Sequence, residues 1–142
     1  MASSGQALSD DDTLTISDGY LVTAVFEFDK DASGPTDTNM TNIVINTSNT
    51  DTADQLHTKI RNAINGVSNF KITATDGGNN LVLLTHTRKS SLGNQAITDT
   101  IGTNDFVVSG MSGGAGGNCA PATACAHNDD CASGNCSGNV CQ

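Results

Sequence analysis

Asp51-Thr-Ala-Asp-Gln-Leu-His-Thr-Lys-Ile-Arg-Asn-Ala-Ile-Asn-Gly-Val67 is the one stretch of this chain that reads as a helix. Thr52 followed three residues later by Gln55 fits a capping box, and Asp54 falls in the positive first turn. Leu56, Ile60, Ala63, Ile64 and Val67 form a single apolar stripe. His57 lies beside that stripe, and Lys59 and Arg61 point away from it. Gly66 supplies a stop, so the helix is expected over about residues 52–65.

On both sides of this helix the apolar period is two, the period of strands. Upstream, Thr13–Ser17 alternates, Asp18-Gly19 makes a turn, and Tyr20–Phe28 follows as a longer strand. Its Val22, Ala24, Phe26 and Phe28 share one face. Ile43–Ile45 is a third, short strand after a polar loop. Downstream, Phe70–Thr75 and Leu81–His86 flank Asp76-Gly-Gly-Asn-Asn80 as a hairpin. Ala96–Ile101 and Phe106–Ser109 complete the order β-β-β-α-β-β-β-β. The expected class is mainly β (α+β): a β-sandwich or a sheet with one covering helix, plus a small disulfide-rich C-terminal tail.

Composition agrees. Of the 142 residues, 36% are hydrophobic, Trp is absent, and there are one Tyr and four Phe, so the core must be aliphatic with Phe26, Phe28, Phe70 and Phe106 as its large pieces. Net charge is −9. The acids crowd into residues 1–54 and the bases into 55–89, an arrangement that suits attraction within the fold or between copies. A nucleic-acid partner needs a basic surface to release phosphate counterions, which this chain does not offer. No apolar run reaches the ~18–20 residues of a membrane span. The N-terminus shows neither a basic nor an apolar leader region, so no signal peptide is expected.

Organisation changes near residue 111. Residues 1–110 form a cysteine-free module, 111–118 a Gly-rich linker, and 119–142 a tail holding Cys119, Cys125, Cys131, Cys136 and Cys141. So short a segment, rich in Gly, Ala, Ser and Asn, has no core to bury, which favours covalent staples. The spacing contains no CxxC knuckle of the kind zinc sites use, although His127 offers a nitrogen beside Cys125. Five is an odd number. Two bridges leave one cysteine over, and that one is open to an intermolecular bond, a buried thiol or a heterogeneous tail.

Several segments resemble small modules of bacteriophage virion proteins and large bacterial surface proteins. They are Asp12-Thr-Leu-Thr-Ile-Ser-Asp-Gly19, Val25-Phe-Glu-Phe-Asp29, Asp51-Thr-Ala-Asp-Gln55, Ile72-Thr-Ala-Thr-Asp-Gly77, Gly93-Asn-Gln-Ala-Ile-Thr98 and Val108-Ser-Gly-Met-Ser-Gly-Gly114. The tail run Asp130-Cys-Ala-Ser-Gly-Asn-Cys136 is similar to short cysteine-rich repeats of exported bacterial proteins. The resemblance implies a structural or adhesive role in a virion or at the cell surface. Its partners would be copies of itself or other structural subunits.

Other motifs carry less. Asp29, Asp31, Ser33 and Asp37 occupy positions 1, 3, 5 and 9 of a calcium-loop pattern with Gly34 at position 6, but Met40 stands where a bidentate Glu belongs. A solvated connection is the simpler reading, so no cofactor is expected, with calcium as the alternative. Histidines 57, 86 and 127 and the many serines fall in no recognisable nucleophile elbow, so no catalytic residue is assigned and no enzyme is expected. The leading expectation is a non-enzymatic assembly subunit of an extracellular particle: a capsid-decoration or tail protein, or a surface filament subunit cross-linked through its tail. The alternative is an adhesive or carbohydrate-binding module of a secreted protein, against which the scarcity of aromatic rings weighs.

Overall fold

The computed structural model of the chain describes residues 5–37, 39–87, 91–114 and 136–141. Its strands are β1 (Asp12–Ser17), β2 (Thr23–Asp29), β3 (Ile43–Asn46), β4 (Ile72–Asp76), β5 (Val82–His86), β6 (Ile97–Asp99), β7 (Cys136–Ser137) and β8 (Val140–Cys141). The helix α1 spans Ala53–Asn65, and short 3-10 turns occupy Gly5–Ala7 and Ser91–Gly93. The fold is mainly β with one helix, as the periodicity predicts.

A four-stranded sheet runs in the order β3-β2-β1-β6. β1 is antiparallel to β2 and β6, with Leu14 opposite Phe26 and Asp99, while β2 and β3 are parallel. A parallel pair requires a long crossover, and residues 30–42 provide it. β4 and β5 form a separate antiparallel hairpin. α1 packs chiefly on β4 and β3. Leu14, Ile16, Phe26, Phe28 and Ile45 from the sheet close over Leu56, Ile60 and Ile64 of the helix and Ile72 and Ala74 of the hairpin. One aliphatic core results.

The helix begins where its cap dictates. The Gln55 N–H donates to Thr52 Oγ1 at 3.2 Å and the Thr52 N–H to Gln55 Oε1 at 2.9 Å, the reciprocal pair of a capping box. Gly66 is the C-cap, yet its φ of −80° keeps it in the right-handed region, so its freedom is not used there. The Asn65 side chain continues the contact into the sheet layer. It donates to Ala74 O at 2.9 Å and accepts from Ala74 N–H at 2.8 Å, completing the outer edge of β4.

Several expected boundaries shift: β4 covers Ile72–Asp76 rather than Phe70–Thr75, β5 begins at Val82 rather than Leu81, and β6 is Ile97–Asp99 rather than Ala96–Ile101. Three further differences each have a physical reason. β2 begins at Thr23 rather than Tyr20, because the Asp18 carboxylate takes the N–H groups of Tyr20, Leu21 and Val22 at 2.9–3.0 Å. Those amides are spent on the turn. Phe106–Ser109 is not a strand. Its side chains do alternate, with Phe106 and Val108 half-buried, but its backbone meets no ladder. It is held by Phe106 set edge-on against Phe28 at 6.0 Å, and by the Met111 N–H on Gln95 O at 2.9 Å. Finally, Asn94 exchanges two 2.8 Å hydrogen bonds with Gly114, so residues 111–114 lie against the module.

In the tail, Cys136 and Cys141 face each other as register partners of the β7–β8 hairpin, and both are disulfide-bonded. Cys119, Cys125, Cys131 and His127, with residues 115–118 of the linker, lie outside the described residues. A disulfide framework for the whole tail is therefore not shown.

Candidate functional site

An apolar cleft of about 400 Å³ opens between the β4–β5 hairpin and residues 106–112. Ile60 and Ile64 of α1 line it, with Leu14, Ile16 and Ile97 of the sheet. Aliphatic lining follows from the periodicity: these residues belong to the stripes that make the core, and Leu14, Ile16, Ile60 and Ile64 are buried at the floor of the cleft. Leu81, Leu83 and Val107 at its border are 41%, 47% and 63% exposed. Scattered exposed aliphatics are ordinary, but here three of them border one apolar recess.

The outer edge of β5 borders the same recess. The Gly77 N–H donates to Leu81 O and the Thr87 N–H to Lys71 O. Antiparallel alternation then makes Thr73–Thr85 and Thr75–Leu83 the bonded pairs, and turns the backbone groups of Val82 and Leu84 outward. Among the described residues those outward groups have no partner. The two edges of the hairpin differ: Asn65 closes the β4 side at Ala74, while among the described residues nothing comparable meets the β5 side at Val82 and Leu84.

His57 holds the hairpin to the helix. It is buried rather than beside the stripe, with Nε2 3.1 Å from Leu81 O and 3.6 Å from the Asp76 carboxylate. Arg61 lies 3.6 Å from the other Asp76 oxygen. Lys59 pairs with Asp51 at 2.6 Å. Of these pairs Lys59–Asp51 joins the acidic first third of the chain to the basic second, while His57, Arg61 and Asp76 all lie within 55–89. His86 reaches Asp18 O at 3.1 Å. Both histidines hold backbone carbonyls.

An acidic cluster sits at the C-terminal end of β2, an interior strand of the main sheet. Asp10, Asp29 and Asp31 bring carboxylate oxygens within 4.8 Å of one another. Of the calcium-pattern residues, the structure thus joins Asp29 and Asp31, with Asp10 as their third carboxylate. Asp37 turns away to accept the N–H groups of Thr41 and Asn42, and the Ser33 N–H donates to Asp31. Asp29 accepts the N–H groups of Asp31, Ala32 and Gly34, so its oxygens shape the loop. Glu27, buried on the same face, takes the Thr36 N–H at 2.9 Å and the Asn42 amide at 2.7 Å. The sequence gives no sign of this burial, because loop 30–42 covers a face that alternation assigns to solvent.

Charge is felt unevenly here. Some loss of hydration at this exposed side chain, and then the charges of Asp10, Glu27, Asp31 and Asp29, push the Asp11 carboxyl above its ordinary value. The Ser33 hydroxyl and N–H pull Asp31 below it. The Thr41 N–H does the same for Asp37, with Asn42 adding to it. No helix among the described residues is long and apolar enough to cross a membrane.

Compared with known protein families, curated proteins and solved structures, the chain matches none.

Proposed function

We propose that this chain is a non-enzymatic structural subunit of an extracellular particle, a phage virion protein of the capsid-decoration or tail kind or a surface filament subunit. Its work is association with copies of itself or with other structural subunits. The observation that carries the reading is the exposed trio Leu81, Leu83 and Val107 around an aliphatic cleft, beside an open strand edge. Such a surface gains free energy by losing water, at about 25 cal/mol per Å² of apolar area covered.

The tail supports the same reading. Five cysteines within residues 119–142 leave at least one without an intrachain disulfide partner, and a bond to a neighbouring subunit satisfies it. Disulfides persist outside the reducing cytoplasm, which accords with a virion or cell-surface location. Nothing in this reading calls for a cation at the acidic cluster.

Sedimentation velocity of the full chain across a concentration series tests the association, and non-reducing electrophoresis tests the cross-link. Concentration-dependent growth in mass supports the proposal. A monomer at every concentration, with and without reductant, rejects it.

A further inference from the structure

Resting on the assembly reading, we infer that β5 pairs antiparallel with β5 of a second copy across a two-fold axis at Leu83. The outward backbone groups select this register. Val82 and Leu84 carry the unpaired N–H and C=O groups, so Val82 of each copy pairs with Leu84 of the other. Leu83 then opposes Leu83 at a non-hydrogen-bonded position, where Cα atoms approach to about 4.5 Å and side chains touch most closely. The half-exposed Leu81 and Leu83 share one face of the strand, and the pairing covers both. An exposed apolar edge is a template for this contact unless charge, proline or a covering segment blocks it. Leu81-Val-Leu-Leu-Thr-His-Thr87 contains none of the charge or proline.

Electrostatics points to the same occupant. A chain of net charge −9 repels its own copies wherever its acids gather, and Asp10, Asp29 and Asp31 gather at the C-terminal end of β2 in the main sheet, not on the β4–β5 hairpin. Leu81–Thr87 carries no acid. At one end Asp76, opposite Val82, lies 3.6 Å from Arg61. At the other the charges near the strand are basic, Lys71 across from Thr87 and Arg88 and Lys89 next in sequence. A two-fold axis is also self-complementary, because one surface serves both copies. The contact is small beside the ~1,200 Å² or more that stable interfaces bury, so it is expected to be weak alone and to act through repetition or a covalent tail bond.

The test uses the full chain with reductant present, so that only the strand contact reports. Sedimentation equilibrium is read for the wild type, Leu83→Arg, and Leu21→Arg as a control at an exposed aliphatic elsewhere. Amide hydrogen exchange is followed at Val82 and Leu84 at low and high protein concentration. The expected result is dimerisation of the wild type and of Leu21→Arg, at least about tenfold weaker association for Leu83→Arg, and protection of both amides that grows with concentration. Association that survives Leu83→Arg, with both amides exchanging freely, overturns the strand pairing and leaves the assembly reading standing. A wild type that stays monomeric both here and without reductant overturns both.

Discussion

The Asp18 carboxylate accepts the backbone N–H of Lys71 at 3.3 Å, joining the β1–β2 turn to the approach of β4 across 53 positions of sequence. The same buried carboxylate holds the N–H groups of Tyr20, Leu21 and Val22. Two layers of the fold therefore depend on one side chain. Asp18→Ala is expected to cost about 3 kcal/mol, since it leaves several amide donors without an acceptor. Urea denaturation measures the loss, and an unchanged midpoint contradicts it.

Asp18 also sets a pH dependence. Burial pushes its pKa up, but the N–H donors of Val22, Tyr20, Leu21 and Lys71 outweigh burial and hold it below the ordinary value. Burial likewise raises Asp51, and the Lys59 ammonium with the Ser48 N–H brings it below. A carboxyl with a depressed folded pKa contributes stability that is complete above its unfolded pKa and is lost as pH falls through the folded one. Melting temperature is expected to fall below about pH 4, and less steeply in Asp18→Asn. Thermal scans from neutral to acid pH decide it.

Asp11 runs the other way. Its raised pKa means that the folded state disfavours its charge, so its contribution improves as pH falls toward the carboxylate range. Asp11→Asn is expected to raise the melting temperature at neutral pH, with a gain that shrinks as salt screens Asp10, Asp29 and Asp31. Asn suits the left-handed φ of 65° at this position, so the backbone does not oppose the change. A melting temperature that does not move at low salt counts against the repulsion.

Gly19 sits at φ +67°, where an added Cβ would meet Leu92 O at 1.9 Å. Gly19→Ala combines a disfavoured backbone with a clash against an immovable carbonyl. Destabilisation of about 2 kcal/mol or more is expected by denaturant titration. Gly78→Ala, with a similar φ but open space around it, is the milder comparison.

Asn65→Ala removes both hydrogen bonds to Ala74 and reopens the outer edge of β4. The expected cost is about 1–2 kcal/mol, with faster hydrogen exchange at the Ala74 amide while α1 remains helical. Equal exchange in both proteins would show that the cap does not protect the edge.

Much of the architecture was legible without coordinates. The capping box at Thr52, the stripe through Leu56, Ile60 and Ile64, and the turn Asp76–Asn80 are local signals, written in residues a few positions apart. Composition likewise required an aliphatic core, and Phe26 and Phe28 are fully buried in it. Phe106–Ser109 was expected to be a strand and is not: its side chains alternate, but a strand also needs a neighbour to bond, and no local pattern supplies one. The same limit hid the candidate site.

Periodicity alone determined one helix, the helix–hairpin order and the identity of the apolar stripes, because side-chain direction repeats with the backbone. Only tertiary structure decided that loop 30–42 buries Glu27, that Asp10 rather than Asp37 joins Asp29 and Asp31, and that Asn65 closes one hairpin edge while Val82 and Leu84 on the other find no partner among the described residues. Those outcomes depend on which backbone amides find acceptors across long sequence separations. Lys71 finding Asp18 is the plainest case.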